Sequence, residues 1–263
     1  MMLDLDELTL GWECPPGELR ARAIVGRDGH ELLQLRVDLG VMQMAPDGRP
    51  DGQRYRGLPT VRDYVEHELR IDAKHVVAQD WQELERELTQ TNYRRLTLTA
   101  IAEDALQRDD APAARQHLER ALRDVEACWA NLELLGQRGP ADDTHSALRA
   151  SLVFDRVRLL TQLRVVEGDY EDAIEQAETG SAGLDTLLAE LGYDQEQREQ
   201  DPGVRYLRDL GAQLRQDYGI ARTVREQLEA AIEHEDFETA AELRDELARR
   251  QQSRPASEDP PGD

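Results

Sequence analysis

Two periodicities divide the chain. In "LRARAIVGRDGHELLQLRVDLGVMQM", which starts at Leu19, a short apolar run meets an Asp28-Gly29 turn signal, and Leu33, Leu35, Val37 and Leu39 then alternate on one face. Period-two alternation around such a dipeptide predicts a β-hairpin. Gly40 interrupts the alternation, and Met42 and Met44 resume it one step out of phase, as a β-bulge would produce. The next stretch, "APDGRPDGQRYRGLP", holds two Pro-Asp-Gly turn signals. Two or three strands do not stand alone, so residues 1–58 are expected to form a small antiparallel cap on the helices that follow. The competing reading is a docking surface, with the strand from Leu32 to Met44 offering an open edge to a partner strand.

From Thr60 the spacing is helical. "PTVRDYVEHEL" opens with a Pro and a Thr cap. Leu84, Leu88, Leu96, Leu98 and Ile101 continue it, with a break placed near Asn92. "APAARQHLERALRDVEACWANLELL" predicts a long helix ended by Gly136, and "HSALRASLVFDRVRLLTQLRVVEG" another stopped at Gly168. "DYEDAIEQAETGSAGLDTLLAELG" predicts a third, with Gly180 and Gly183 as weak points. "YDQEQREQDPG" reads as a linker, and two last helices are expected from about Val204 to His234 and from Phe237 to Arg250. The divisions are therefore a helical region over 59–193, a linker over 194–203, a long helix plus a terminal hairpin over 204–250, and a polar, Pro-rich tail over 251–263 expected to be disordered.

Three stretches share one arrangement: "DDAPAARQHL" from Asp109, "GDYEDAIEQA" from Gly168 and "EDFETAAELR" from Glu235. Each sets an Asp four positions before an Ala, namely Ala114, Ala173 and Ala240. An Asp so placed accepts from the free N–H groups of the helix it opens, so each stretch predicts a tight helix–turn–helix. Around Ala173 the hairpin resembles a tetratricopeptide unit, through Leu160, "GDYEDA" and Ala177, and Ala102, Ala114, Leu118 and Ala121 match more loosely. Thr161 and Gly180 depart from that pattern, and the three Ala positions do not recur at about 34 residues. A generic helical hairpin in a bundle fits the same residues.

The third stretch differs from its look-alikes. On a wheel of about 100° per residue, its predicted inward face collects Phe237, Ala240, Ala241, Leu247 and Ala248, with Arg244 in the middle. The equivalent positions in the earlier hairpins are Ala177 and Leu118. A guanidinium inside an apolar stripe is expected to snorkel out or to find a carboxylate. "VREQLEAAIEHEDFETAAELRDELARR", Val224 to Arg250, resembles the UVR motif, the helical hairpin shared by the UvrB and UvrC proteins of bacterial excision repair. The resemblance rests on the stripe Val224, Leu228 and Ile232, the "EDFE" turn, the "AA" pair, and "LRDEL" with its Arg244–Asp245 step. It implies protein–protein contact, since hairpins of this family pair with one another. Related motifs occur in regulators of stress proteases and of an arginine kinase. The residues expected to carry binding are Leu228, Ile232, Phe237, Ala240, Ala241, Arg244, Asp245 and Leu247. Either a preceding helix around Tyr206, Leu207 and Leu210 covers the leftover apolar edge, or a partner does.

Composition narrows the chemistry. Among 263 residues, 39% are hydrophobic and 33% charged, which suits helices burying Leu and Ala stripes. The formal charge of −23 argues against broad contact with phosphate backbones or anionic lipid, and Lys74 is the one lysine. Cys14 and Cys128 form neither a disulfide framework nor a zinc pair. The acidic start "MMLDLDELTL" lacks the charge pattern of a signal peptide, and no stretch reaches the roughly 20 apolar residues of a membrane span. A cytoplasmic location is expected. No GxxxxGK[ST] loop and no HExxH pair is present, and nothing resembles the nuclease domains of UvrC. "ADDTH" at Ala141–His145 reads as a helix start capped by Asp142, Asp143 or Thr144 rather than as a metal site. Trp12, Trp81 and Trp129 are expected to be packing anchors.

The expectation is a mainly α, non-enzymatic protein without cofactor or metal: a small β element, tetratricopeptide-like hairpins and a C-terminal UVR hairpin. Its partner is expected to be a protein, either another UVR-motif protein or itself, with no direct nucleic acid and no membrane. A regulatory subunit of a protease or kinase, acting through the helical middle with the hairpin serving oligomerisation, is the second reading.

Overall fold

The computed structural model describes residues 9–37, 40–137 and 143–252. The expectations for the acidic start, for Leu39, for the candidate cap Asp142 and for the tail after Gln252 fall outside them.

Strands β1 (Arg20–Val25), β2 (Glu31–Val37) and β3 (Gly40–Met44) form one antiparallel sheet in the order β1-β2-β3. The Asp28-Gly29 pair closes the first hairpin: Gly29 takes φ 84°, and the Asp28 carboxylate accepts the His30 N–H at 3.1 Å. Gly40 does not mark a bulge. It opens β3, with Val37 opposite Gly40, Leu35 opposite Met42 and Leu33 opposite Met44. Reversal of the chain, not an inserted residue, puts Met42 and Met44 out of phase, because directly opposed residues share a face of the sheet. Leu33, Leu35 and Met44 are buried on that face, in one cluster with Val61, Val65, Trp81, Leu84 and Leu88. The sheet therefore caps the helices.

Helix α1 (Val61–Ile71) starts at a capping box between Thr60 and Asp63, and the Glu87 carboxylate also accepts the Val61 N–H at 2.7 Å. A 3-10 turn over Ala73–His75 separates it from α2 (Ala78–Gln107). α2 runs unbroken through Asn92, contrary to the expected break. The Asn92 amide oxygen accepts from Arg95 at 2.8 Å, so it is spent on a side chain instead of competing for the backbone. α3 (Ala111–Gly136), α4 (Asp143–Glu167) and α5 (Tyr170–Glu190) follow. The stretch 194–203 is largely helical: α6 (Gln195–Gln200) has its own capping box from Asp194, and α7 (Pro202–Tyr218) begins at once from Asp201. α7 ends at left-handed Gly219, short of the expected run to His234, and α8 (Val224–Glu233) and α9 (Phe237–Gln252) complete the chain.

The three shared stretches are one turn used three times. Asp110, Asp169 and Asp236 each accept, through the side chain, from the backbone N–H three residues on. Their own N–H groups return to the carbonyls of Ala105, Arg164 and Ala231, five residues back, at 2.9 Å in each case. That closure needs a left-handed residue just before the Asp, and Asp109, Gly168 and Glu235 take φ 57°, 79° and 57°. The Ala four positions later is buried in all three. Helices of 30 and 26 residues, α2 and α3, make this arm longer than a repeat of about 34 residues contains.

Gly180, expected to be a weak point, is a contact. A Cβ there would stand 2.3 Å from Val157, so its absence lets α5 lie close on α4, whereas Gly183 faces open space. Buried ion pairs tie the layers together. Arg94 of α2 makes two 2.7 Å bonds to Asp124 of α3 and donates to the carbonyls of Ala45 and Gly48, which holds the loop after β3 against the bundle. Arg95, also fully buried, pairs with Asp155 of α4 beside Cys128, whose thiol burial pushes up to about 12.

Candidate functional site

The matched features of α8 and α9 rest on ordinary helix chemistry. Thr223 caps α8, accepting the Glu226 N–H while the Glu226 carboxylate accepts the Thr223 N–H at 2.7 Å. Asp236 caps α9, and its bonds from the Thr239 hydroxyl and N–H hold its carboxyl below the usual range. Between the two helices Ala231 and Ala240 are buried, with Leu228, Leu243 and Leu247 half-buried.

The expected inward face is turned. Ala240 is 3% exposed, but Phe237 is 71% exposed, and Ala241, Arg244, Asp245 and Ala248 are exposed with it. Ala240, Leu243 and Leu247 form the packed stripe, about a quarter turn round the helix from Phe237. Arg244 thus stands in water instead of within the packed stripe, and has no ion pair among the described residues. On α8, Ile232 is 48% exposed. Of the eight residues expected to bind, Ile232, Phe237, Ala241, Arg244 and Asp245 are exposed, while Leu228 and Leu247 are half-buried and Ala240 is buried.

The hairpin meets the body through its base. On α5, Glu171, Glu175 and Glu178 fall at i, i+4 and i+7 and so share one face. Glu171 accepts the Val224 N–H at 2.8 Å and faces Arg250 at 3.3 Å. Glu175 pairs with Arg225 at 2.9 Å, and Arg215 bridges Glu178 and Glu226, both at 2.7 Å. These two carboxylates raise the Arg215 guanidinium above its ordinary value, and Arg215 in turn holds Glu226 below its own. Sequence reasoning missed this row. The i, i+4, i+7 glutamates on α5 are a signal for it, but one shared by many solvated helix faces. Tyr206 is exposed and Leu207 packs with Val157, Leu184, Leu188 and Val204 on α4, α5 and α7, so α7 does not cover Phe237.

Other chemistry is thin. Among the described residues no group of three or more His, Cys, Asp or Glu is placed to hold a metal ion, and no helix is long and apolar enough to cross a membrane. His117 is buried, and desolvation pushes its imidazole below the ordinary value. Trp81 is a core residue as expected, while Trp12 carries the Arg22 guanidinium 3.9 Å above its ring.

The family model described as UvrB/uvrC motif matches residues 220–253, which spans α8 and α9. The chain therefore carries a UVR motif, and that motif is the helical hairpin with its open side at Phe237. No curated protein and no solved structure matches the chain.

Proposed function

We propose that this chain is a non-enzymatic, cytoplasmic adaptor whose UVR hairpin binds a helical surface of another protein, such as a second UVR hairpin. The observation that carries the reading is Phe237, a large apolar side chain 71% exposed at the start of a well-capped helix. A rigid aromatic on a fixed backbone costs little entropy to bury and is the usual kind of interface anchor. Ile232, on the other side of the turn, and Ala241, one turn along α9, extend the apolar area. The long helical body and the sheet cap then serve to carry and orient the hairpin.

Deleting Thr223–Asp263 tests the assignment. Cross-linking and mass spectrometry in the native host should recover a partner with the full chain and lose it with the deletion. A partner retained by the deleted chain would move the binding site to the helical body.

A further inference from the structure

The base and the tip of the hairpin treat the same residue type in opposite ways. At the base, Glu171, Glu175, Glu178 and Glu226 each face an arginine. Around the tip stand Glu229, Glu233, Glu235, Glu238 and Glu242, all exposed and none with an ion pair among the described residues. α8 is 10 residues long, so its far end lies about 15 Å from the anchored base; Glu229, the carboxylate of this group nearest the base, is one turn from Arg225, which is held by Glu175. These carboxylates lie on both helices and in the turn, each within five positions of Ile232 or Phe237. Glu229 and Glu233 are one turn apart on α8, as are Glu238 and Glu242 on α9, and Glu235 sits in the turn. The result is an apolar anchor inside a rim of one sign.

We propose that the tip docks into an apolar cleft rimmed by Arg and Lys side chains on a partner protein, and that it selects against a second copy of this chain. This rests on the reading of the hairpin as a protein-binding module. Burying Phe237 brings the rim within a few ångströms of whatever surrounds the cleft, where opposite charges attract and like charges repel. A second copy facing the tip would set the same five carboxylates against these five. Arg244, two turns from Phe237 toward the base, stands two positions from Glu242 but makes no ion pair with it or with any other rim carboxylate among the described residues.

Two synthetic helical peptides with one apolar face test this, the first flanked by arginines and the second by glutamates. Each is titrated into the full chain by fluorescence anisotropy at low and high salt. The wild type should bind the arginine peptide and ignore the glutamate peptide, with affinity falling as salt rises. The variant E229Q/E233Q/E235Q/E238Q/E242Q and the variant F237D should each bind at least about tenfold more weakly. Sedimentation should show no Phe237-dependent dimer of the wild type.

Equal binding of the arginine peptide by the wild type and the five-Gln variant would overturn the charge proposal, since attraction would then come from the acidic chain as a whole. Failure of the wild type to bind it, or a dimer abolished by F237D, would overturn it too. If F237D alone loses binding, the protein-binding tip stands and only the charge selection fails. If F237D binds like the wild type, the reading of the tip itself fails.

Discussion

The carboxylate of Glu171 accepts the backbone N–H of Val224 at 2.8 Å, so a residue of α5 caps the first turn of α8. The same carboxylate faces Arg250, near the end of α9, at 3.3 Å. One side chain therefore holds both helices at the hairpin's base. Exposed ion pairs contribute about 0–1 kcal/mol each and are screened by salt, so this seam is weaker than the core. E171A should speed amide exchange across α8 and α9 while leaving α2 and α3 protected, and high salt should do the same to the wild type. Uniform exchange changes across the whole chain would contradict a local seam.

Gly180 and Gly183 make a paired test of the α4–α5 contact. G180A places a Cβ against Val157 and is expected to cost about 1–3 kcal/mol, as overpacking does. G183A meets open space and removes a helix-weakening glycine, so it should stabilise by about 0.5–1 kcal/mol. Urea midpoints at constant slope should move in opposite directions.

The Arg95–Asp155 pair is buried between α2 and α4 beside Cys128. Removing one partner of a buried pair leaves a stranded charge, so D155A should destabilise the protein by about 3–5 kcal/mol. Cys128 reports it without further labelling: its thiol, pushed up to about 12 by burial, should resist alkylation in the native protein. In D155A it should react at distinctly lower urea concentration, and an unchanged reactivity midpoint would mean that the layer does not hold the helices.

Acid should loosen the hairpin before the body. Glu226 is held below its ordinary 4.5 by Arg215, and Asp236 below its ordinary 3.8 by Thr239. Both are carboxylates with folded values below unfolded ones. Their contribution is complete above the ordinary values and is lost as pH falls through the depressed ones. Exchange rates in α8 and α9, corrected for intrinsic pH dependence, should rise below about pH 4 ahead of those in α3. The variant E226Q should remove part of that pH dependence.

Much of the fold was legible because local chemistry and tertiary packing agree. The three Asp caps, the Asp28-Gly29 turn and the Thr60 cap are short-range signals, and each forms as its residues dictate. Where the sequence misled, a non-local fact decided. Met42 and Met44 look like a bulge until the chain reverses at Gly40, and Gly180 looks like a weakness until Val157 is placed against it. The orientation of α9 was legible only to within a quarter turn, because two apolar stripes, Ala240–Leu243–Leu247 and Phe237–Ala241–Ala248, lie side by side on it. Packing against α8 chose the first and left the second, with Arg244, in water. The glutamate row on α5 was invisible as a seam, since its arginines come from three other helices.

The central claim is that the open side of the UVR hairpin binds a protein. The most direct measurement compares partner capture by the full-length wild type and by F237D, with far-UV circular dichroism recorded on both. Phe237 is exposed, so the helical signal should be unchanged, while capture should fall by roughly thirtyfold or more, the loss of an interface anchor worth at least about 2 kcal/mol. Capture by F237D equal to that of the wild type, with the fold intact, would contradict the claim.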